Sequence, residues 1–165
     1  MAATFKRVGR DRVRVRLGLD EVAVLRDLPG QLREVLAEPG DDPVNRRLFP
    51  PAYLEPDDAD RDAEYRGLMH DELVQAKLAN VEVVAGTLAR GSQSMRRWTV
   101  DLTEEEATAW LGVLNDLRLA LGVRLEITED FDGQVDDADP RAPAMHLLSY
   151  LGWLEEHLLE ALSSA

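Results

Sequence analysis

The polar residues placed where chemistry could occur are few, and the most suggestive stand close together. Asn115, Asp116 and Arg118 sit among leucines in the stretch Ala107–Leu121. An arginine at the edge of an apolar stripe needs a carboxylate partner, because an unpaired charge out of water is costly. Two uses follow. The guanidinium can lock its helix to a neighbour, or it can offer its planar fork of donors to a carboxylate or phosphate ligand. Glu72 and Lys77, on an earlier helical stretch that also carries Asn80, are the expected counterparts of Arg118 and Asp116 respectively. An enzyme built on these groups would gather Arg118, Asp116 and Lys77 in one concave pocket.

A second set is basic. Arg12, Arg14 and Arg16 alternate with Val13, Val15 and Leu17. That period places the arginines on one face of a strand and the aliphatic residues on the other. Arg96, at the start of a later strand, joins them. Such a face can attract phosphates or an acidic protein. It can equally be a solubilising surface that discourages strand-to-strand aggregation.

Other groups lead away from catalysis. Glu104, Glu105 and Glu106 follow Thr103 as the first turn of a helix, where the dipole favours negative charge and the Thr/Glu spacing forms a capping box. His146 and His157 would stand about 16 Å apart along one helix and cannot share a metal. His70 has no second histidine within reach and reads as a surface residue. The run Glu126–Asp139 holds seven acids and no base, but lacks the closing Glu of a calcium loop. GxxxxGK, GxGxxG, HExxH and GxSxG are all absent. No metal ligand set, cofactor or catalytic residue is expected.

Two apolar groups are candidate docking surfaces. Leu48, Phe49 and Tyr53 lie in a proline-rich connection, and Tyr150, Trp153 and His157 form a line on the last helix. That line runs beside a stripe of leucines, and so wide an apolar arc means deep burial or self-association.

The elements that position these groups follow from spacing. A hairpin over 4–18, turning at Gly9-Arg10-Asp11, and a strand over Arg96–Leu102 predict a small antiparallel sheet of about three strands. Asp20 is placed to cap a helix running to about Ala37, with a kink or break at Pro29-Gly30. A flexible Pro/Asp-rich connection occupies 39–60, and a helix starts near Asp60 and ends near Ala89. The Thr103 cap opens the central helix. Asp139-Pro140 opens the last one. Strand, cap and helix recur in Arg12–Leu28 and Trp98–Leu114, with too weak a residue match to be a repeat. The fold class is α+β: a mostly helical bundle with a small antiparallel sheet, one domain over 1–165 with its helical core at 61–165.

Composition narrows the function classes. The 165 residues carry a formal net charge of −13, which argues against a free-standing nucleic-acid binder. There is no cysteine, so disulfides and thiol chemistry are excluded. No apolar run approaches a membrane span and no signal peptide is visible, so a cytoplasmic protein is expected.

Three segments taken together, RRLFPPAY at Arg46–Tyr53, EYRGLMHDELVQAKLANV at Glu64–Val81 and LTEEEATAWLGVLNDLRLALGVRLEIT at Leu102–Thr128, resemble an actinobacterial family of unknown function. The C-terminal YLGWLEEHLLEAL extends the resemblance over nearly the whole chain. Pro29-Gly30 and Gly40–Asp42 depart from the family pattern. The family's genes commonly lie beside the one for the small Clp-protease adaptor, and some members are labelled transcriptional regulators. The resemblance implies a cytoplasmic bacterial protein linked to regulated proteolysis, and it transfers no catalytic residue. The leading expectation is therefore a non-enzymatic interaction protein whose partner is the Clp-protease adaptor or a second copy of itself. The alternatives are a transcription-associated nucleic-acid binder using the basic hairpin face, and an enzyme with an Arg/carboxylate pocket.

Overall fold

In the computed structural model the described residues are 3–38, 40, 42–49 and 59–164, with the side chains of 59–63, 65 and 66 left aside. The fold is α+β, with five helices and a four-stranded antiparallel sheet among these residues.

The chain begins with the hairpin β1 (Thr4–Val8) and β2 (Arg12–Gly18). Gly9 supplies the positive φ, +69°, that the turn needs. The later strands are β3 (Ser92–Ser94) and β4 (Arg97–Thr103). The order is β1-β2-β4-β3, and Val15 faces Val100 across the central pair. Val13, Val15, Leu17, Trp98, Val100 and Leu102 all point to the helices and are buried. β3 is the strand beyond the three expected. Its Ser-Gln-Ser has no apolar alternation and all three residues are exposed, so only its backbone ladder to β4 marks it as a strand.

Helix α1 (Leu19–Ala37) starts two residues earlier than Asp20 would allow as its cap. Gly18 is the N-cap, and its N–H donates to Glu21 Oε2 at 2.7 Å. The break expected at Pro29-Gly30 is also absent: the helix runs through both residues. A proline inside a helix costs about 3 kcal/mol. Leu25, Leu28, Leu32 and Leu36 are buried on both sides of it, and each buried leucine contributes about 1.5–3 kcal/mol. Burial of one continuous stripe outweighs the missing hydrogen bond.

Within the connection, Pro43–Leu48 forms the short helix α2, capped by Asp42, whose carboxylate accepts from Asn45 N at 2.7 Å. Helix α3 (Ala59–Arg90) follows. Its residues Val81, Val84 and Leu88 enter the core, while Leu68, Met69 and Leu73 stay exposed. Helix α4 (Glu104–Arg124) opens with the expected capping box: Thr103 Oγ1 accepts from Glu106 N at 3.1 Å and Glu106 Oε2 accepts from Thr103 N at 3.0 Å. Trp110 is buried on α4, and its indole N–H donates to Thr87 Oγ1 at 2.8 Å. Helix α5 (Ala142–Ser163) starts after Asp139-Pro140, with Pro143 in its first turn. Asp139 instead turns the chain just ahead of it, accepting from Arg141 N at 2.8 Å. Leu151, Leu154 and Leu158 are fully buried. No helix among the described residues is long and apolar enough to cross a membrane.

The two strand–cap–helix segments share one connectivity. β1-β2-α1 and β3-β4-α4 are each a hairpin leading directly into a helix, and their inner strands pair about a local two-fold axis near Val15 and Val100. Gly18, Glu21, Leu25, Leu28 and Leu32 correspond to Thr103, Glu106, Trp110, Val113 and Leu117. Glu21 and Glu106 both reach back to the cap N–H of their own helix.

Gly91, between α3 and β3, lies against the Trp98 indole. A Cβ there would fall 2.1 Å from Trp98 Cε2, whereas one on Gly30 would meet nothing within 4 Å. Gly91→Ala is expected to destabilise the fold by about 2–3 kcal/mol. Gly30→Ala is expected to stabilise it by up to about 1 kcal/mol. Urea denaturation of the two variants measures both.

Candidate functional site

The polar residues of α4 divide between two neighbours. Positions two apart on a helix project to nearly opposite sides, so Asp116 and Arg118 cannot serve one pocket. Asp116 points to α3, where Lys77 Nζ donates to its two oxygens at 2.8 and 3.0 Å. This is the pairing expected for Asp116. The Asp116 residue is only 4% exposed, and burial raises its pKa against the pull of the Lys77 ammonium. Lys77 Nζ also lies 5.9 Å from the Phe49 ring centroid, and that ring rests on His70 at 4.6 Å. α2 thus closes over the ion pair, with Val44, Asn45 and Leu48 buried and Phe49 packed against the core.

Arg118 points to α5. Its partner is Glu155, at 2.7 Å, and not Glu72, which stays exposed on α3. Gly152 makes room, since a Cβ there would stand 3.3 Å from Arg118 Nε. Asn115 is exposed, and the Asn80 amide lies over Gly112. Arg118, Asp116 and Lys77 therefore do not converge. They fasten α4 to α5 and α3.

Tyr150, Trp153 and His157 are half-buried along α5. Tyr150 Oη donates to Glu21 Oε1 at 2.8 Å, and burial and that carboxylate push its pKa far up. The Trp153 and His157 rings stack at 4.0 Å. Tyr53 lies outside the described residues.

The outer face of the sheet is different. Register places Lys6, Arg14 and Asp101 in one cross-strand row, and Thr4, Arg16, Thr99 and Ser92 in the next. Arg12 stands opposite Thr103, and Arg97 opposite Gly18. Arg14 holds Asp101 in a two-pronged bond, Nε to Oδ1 at 2.7 Å and Nη2 to Oδ2 at 2.9 Å. That bond holds the Asp101 carboxyl below its usual range, helped by the charges of Arg12 and Arg16. At the rim Arg90 binds both oxygens of Glu106, at 2.7 and 2.9 Å, and lowers its pKa likewise. Lys6, Arg12 and Arg16 are exposed and make no hydrogen bond or ion pair with another described residue. Two adjoining open basins of about 640 and 550 Å³ share Arg14 and Arg16.

Arg12, Arg14 and Arg16 thus lie on one face, as their alternation requires. Arg96 does not join them: it sits in the two-residue turn between β3 and β4. Lys6, Arg97, Asp101 and Arg90 belong to the surface without having been singled out by sequence. Parity along β1 and β4 was the available signal, but it becomes usable only once the strand register is known.

Residues 1–162 match the family model of a domain of unknown function, DUF2017. The chain belongs to that family. It is similar to the putative oxidative stress regulator AosR of Mycobacterium leprae (strain TN), with 34% identity over 138 residues that cover 76% of this chain and 61% of the relative. It is also similar to the oxidative stress regulator AosR of Mycobacterium tuberculosis (strain ATCC 25618 / H37Rv), with 34% identity over 133 residues that cover 73% of this chain and 58% of the relative. The chain spans about three-fifths of the length of these curated relatives. No solved structure matches it. The DUF2017 assignment agrees with the resemblance to an actinobacterial family of unknown function, some of whose relatives carry the name of regulators.

The carboxylates of the two regions respond oppositely to pH. Asp116, raised, contributes stability that is present below its unfolded pKa and is lost as pH rises through the folded one. Asp101, lowered, contributes stability present above its unfolded pKa and lost as pH falls. Between about pH 3 and about pH 7, spanning ordinary carboxylate values, Asp116→Asn should gain stability relative to the wild type as pH rises. Asp101→Asn should lose it. Denaturation series across that range read both signs.

Proposed function

We propose that this chain is a regulatory protein that works by binding, through the outer face of its sheet, and not by catalysis. The observation that carries the reading is the set of unspent cations there. Arg7, Arg14, Arg33, Arg90, Arg118 and Arg141 each hold a carboxylate of the chain's own. Lys6, Arg12 and Arg16 share one continuous surface and hold none among the described residues. These three form no hydrogen bond or ion pair among the described residues, and long charged side chains clustered on an open face are what a ligand of opposite charge would meet.

Two further points support it. The relatives are named oxidative stress regulators, which is a regulatory role. These 165 residues hold no cysteine, so any part they play in such a response does not run through a thiol of theirs. The gene-neighbourhood link to regulated proteolysis gains nothing from the described residues, and the reading does not use the Clp-protease adaptor.

Expression in an actinobacterium lacking its own family member tests this. The wild-type chain is expected to restore survival under peroxide. Arg12→Glu with Arg16→Glu, folded by circular dichroism, is expected to leave survival at the level of the deletion strain. Equal rescue by the double variant, or no rescue by the wild type, overturns the reading.

A further inference from the structure

We infer that the outer sheet face receives a short acidic polypeptide segment of a protein partner, with Arg12 and Arg16 binding carboxylates on either side of the Arg14–Asp101 pair. The inference rests on the regulatory reading above and names the partner class for the same surface.

The pattern of charge decides the class. Arg12, Arg14 and Arg16 alternate along one strand, so their side chains leave the sheet about 6.6 Å apart. The middle one is already consumed, because Asp101 takes both prongs of its guanidinium. The face therefore presents a cation, a neutralised centre and a second cation. An extended segment has same-side residues at the same spacing. It can set acidic side chains over Arg12 and Arg16 and an uncharged one between them. The hydroxyls of Thr99 and Thr103, beside these arginines, add donors suited to carboxylates and to uncharged polar groups alike.

Nucleic acid fits less well on three counts. A duplex carries one charge per about 1.7 Å of its axis, so phosphates could not avoid the Asp101 carboxylate. The run from Arg12 to Arg16 covers only about 13 Å, which limits the phosphates neutralised. Among the described residues no aromatic side chain stands on this face, since the Trp98 ring is buried on the other side, so bases would find no stacking partner there. The chain as a whole, at −13, repels a long polyanion more than a short peptide. The basins are open, which suits a segment lying across the sheet better than an enclosed small molecule.

Fluorescence anisotropy of the full chain tests this. The probes are a labelled peptide alternating Glu and Ser, its Gln-for-Glu counterpart, and single- and double-stranded oligonucleotides of matched charge. The Glu peptide is expected to bind and the Gln peptide not to. Arg12→Gln and Arg16→Gln, which break no hydrogen bond or ion pair among the described residues, should each weaken binding about tenfold, the loss of one charge-assisted pair. Asp101→Asn should tighten it several-fold by removing the central negative charge and releasing Arg14, an effect of opposite sign that damage to the fold would not produce. Tighter binding of either oligonucleotide with the same arginine dependence overturns the inference in favour of nucleic acid. A concentration-dependent mass that Arg16→Gln abolishes replaces the partner with a second copy. Absence of binding to the Glu peptide overturns it outright. If rescue under peroxide still depends on Arg12 and Arg16 in that case, the regulatory reading stands and only the partner class falls.

Discussion

The pairing of β2 with β4 is the constraint on which the other elements depend. It joins two strands that are far apart in the chain, and it does so in a register that sorts every side chain. One residue of slippage would turn Val13, Val15 and Leu17 outward and bring three arginines into the core. The buried side of the pair is the floor on which α1 and α4 lie, with α5 against the neighbouring β1. The exposed side is the candidate binding surface. The apolar demand of the helices therefore also fixes where the arginines point, and no separate device is needed to present them.

Above that floor the helices are held by a small number of polar fasteners, each of a different kind. Lys77 and Asp116 are enclosed between α2, α3 and α4, where breaking one partner would strand the other out of water. Arg118–Glu155 and Arg33–Glu82 are at the surface, where such pairs contribute little to stability. Tyr150 and Glu21 connect the middle of α5 to the start of α1, and Glu21 at the same time satisfies the cap of that helix. One carboxylate thus serves both the local helix start and the long-range closure.

Much of the fold could be read from the sequence wherever a local rule operated alone. The hairpin, the capping box at Thr103 and Glu106, the ends of α3 and the class α+β all follow from turn chemistry, alternation and spacing. Where local and tertiary terms competed, the tertiary term decided. Pro29 and Gly30 do not break α1, because leucines on both sides share one core. β3 has no apolar pattern and exists through its neighbour's backbone. The Lys77–Asp116 pair was legible from polarity, since a lysine and an aspartate among apolar residues have few places to go. The partner of Arg118 was not, because helix rotation decides whether a side chain meets α3 or α5, and nothing local encodes it. The basic row on β2 was visible at once. Its completion by Lys6 and Asp101, and the exclusion of Arg96, required the register of strands distant in sequence.

The two hairpin–helix halves share a backbone plan but differ where the outer face is concerned. Where the first half carries Arg14 and Arg16, the second carries Thr99 and Asp101. Two nascent chains held side by side could in principle mate first half with first half, strand on identical strand. In the register seen here that mating would stand Arg14 against Arg16 twice over, like charge on like charge. The correct union sets Arg14 against Asp101 instead. The divergence between the halves thus penalises exchange of the first half between neighbouring molecules.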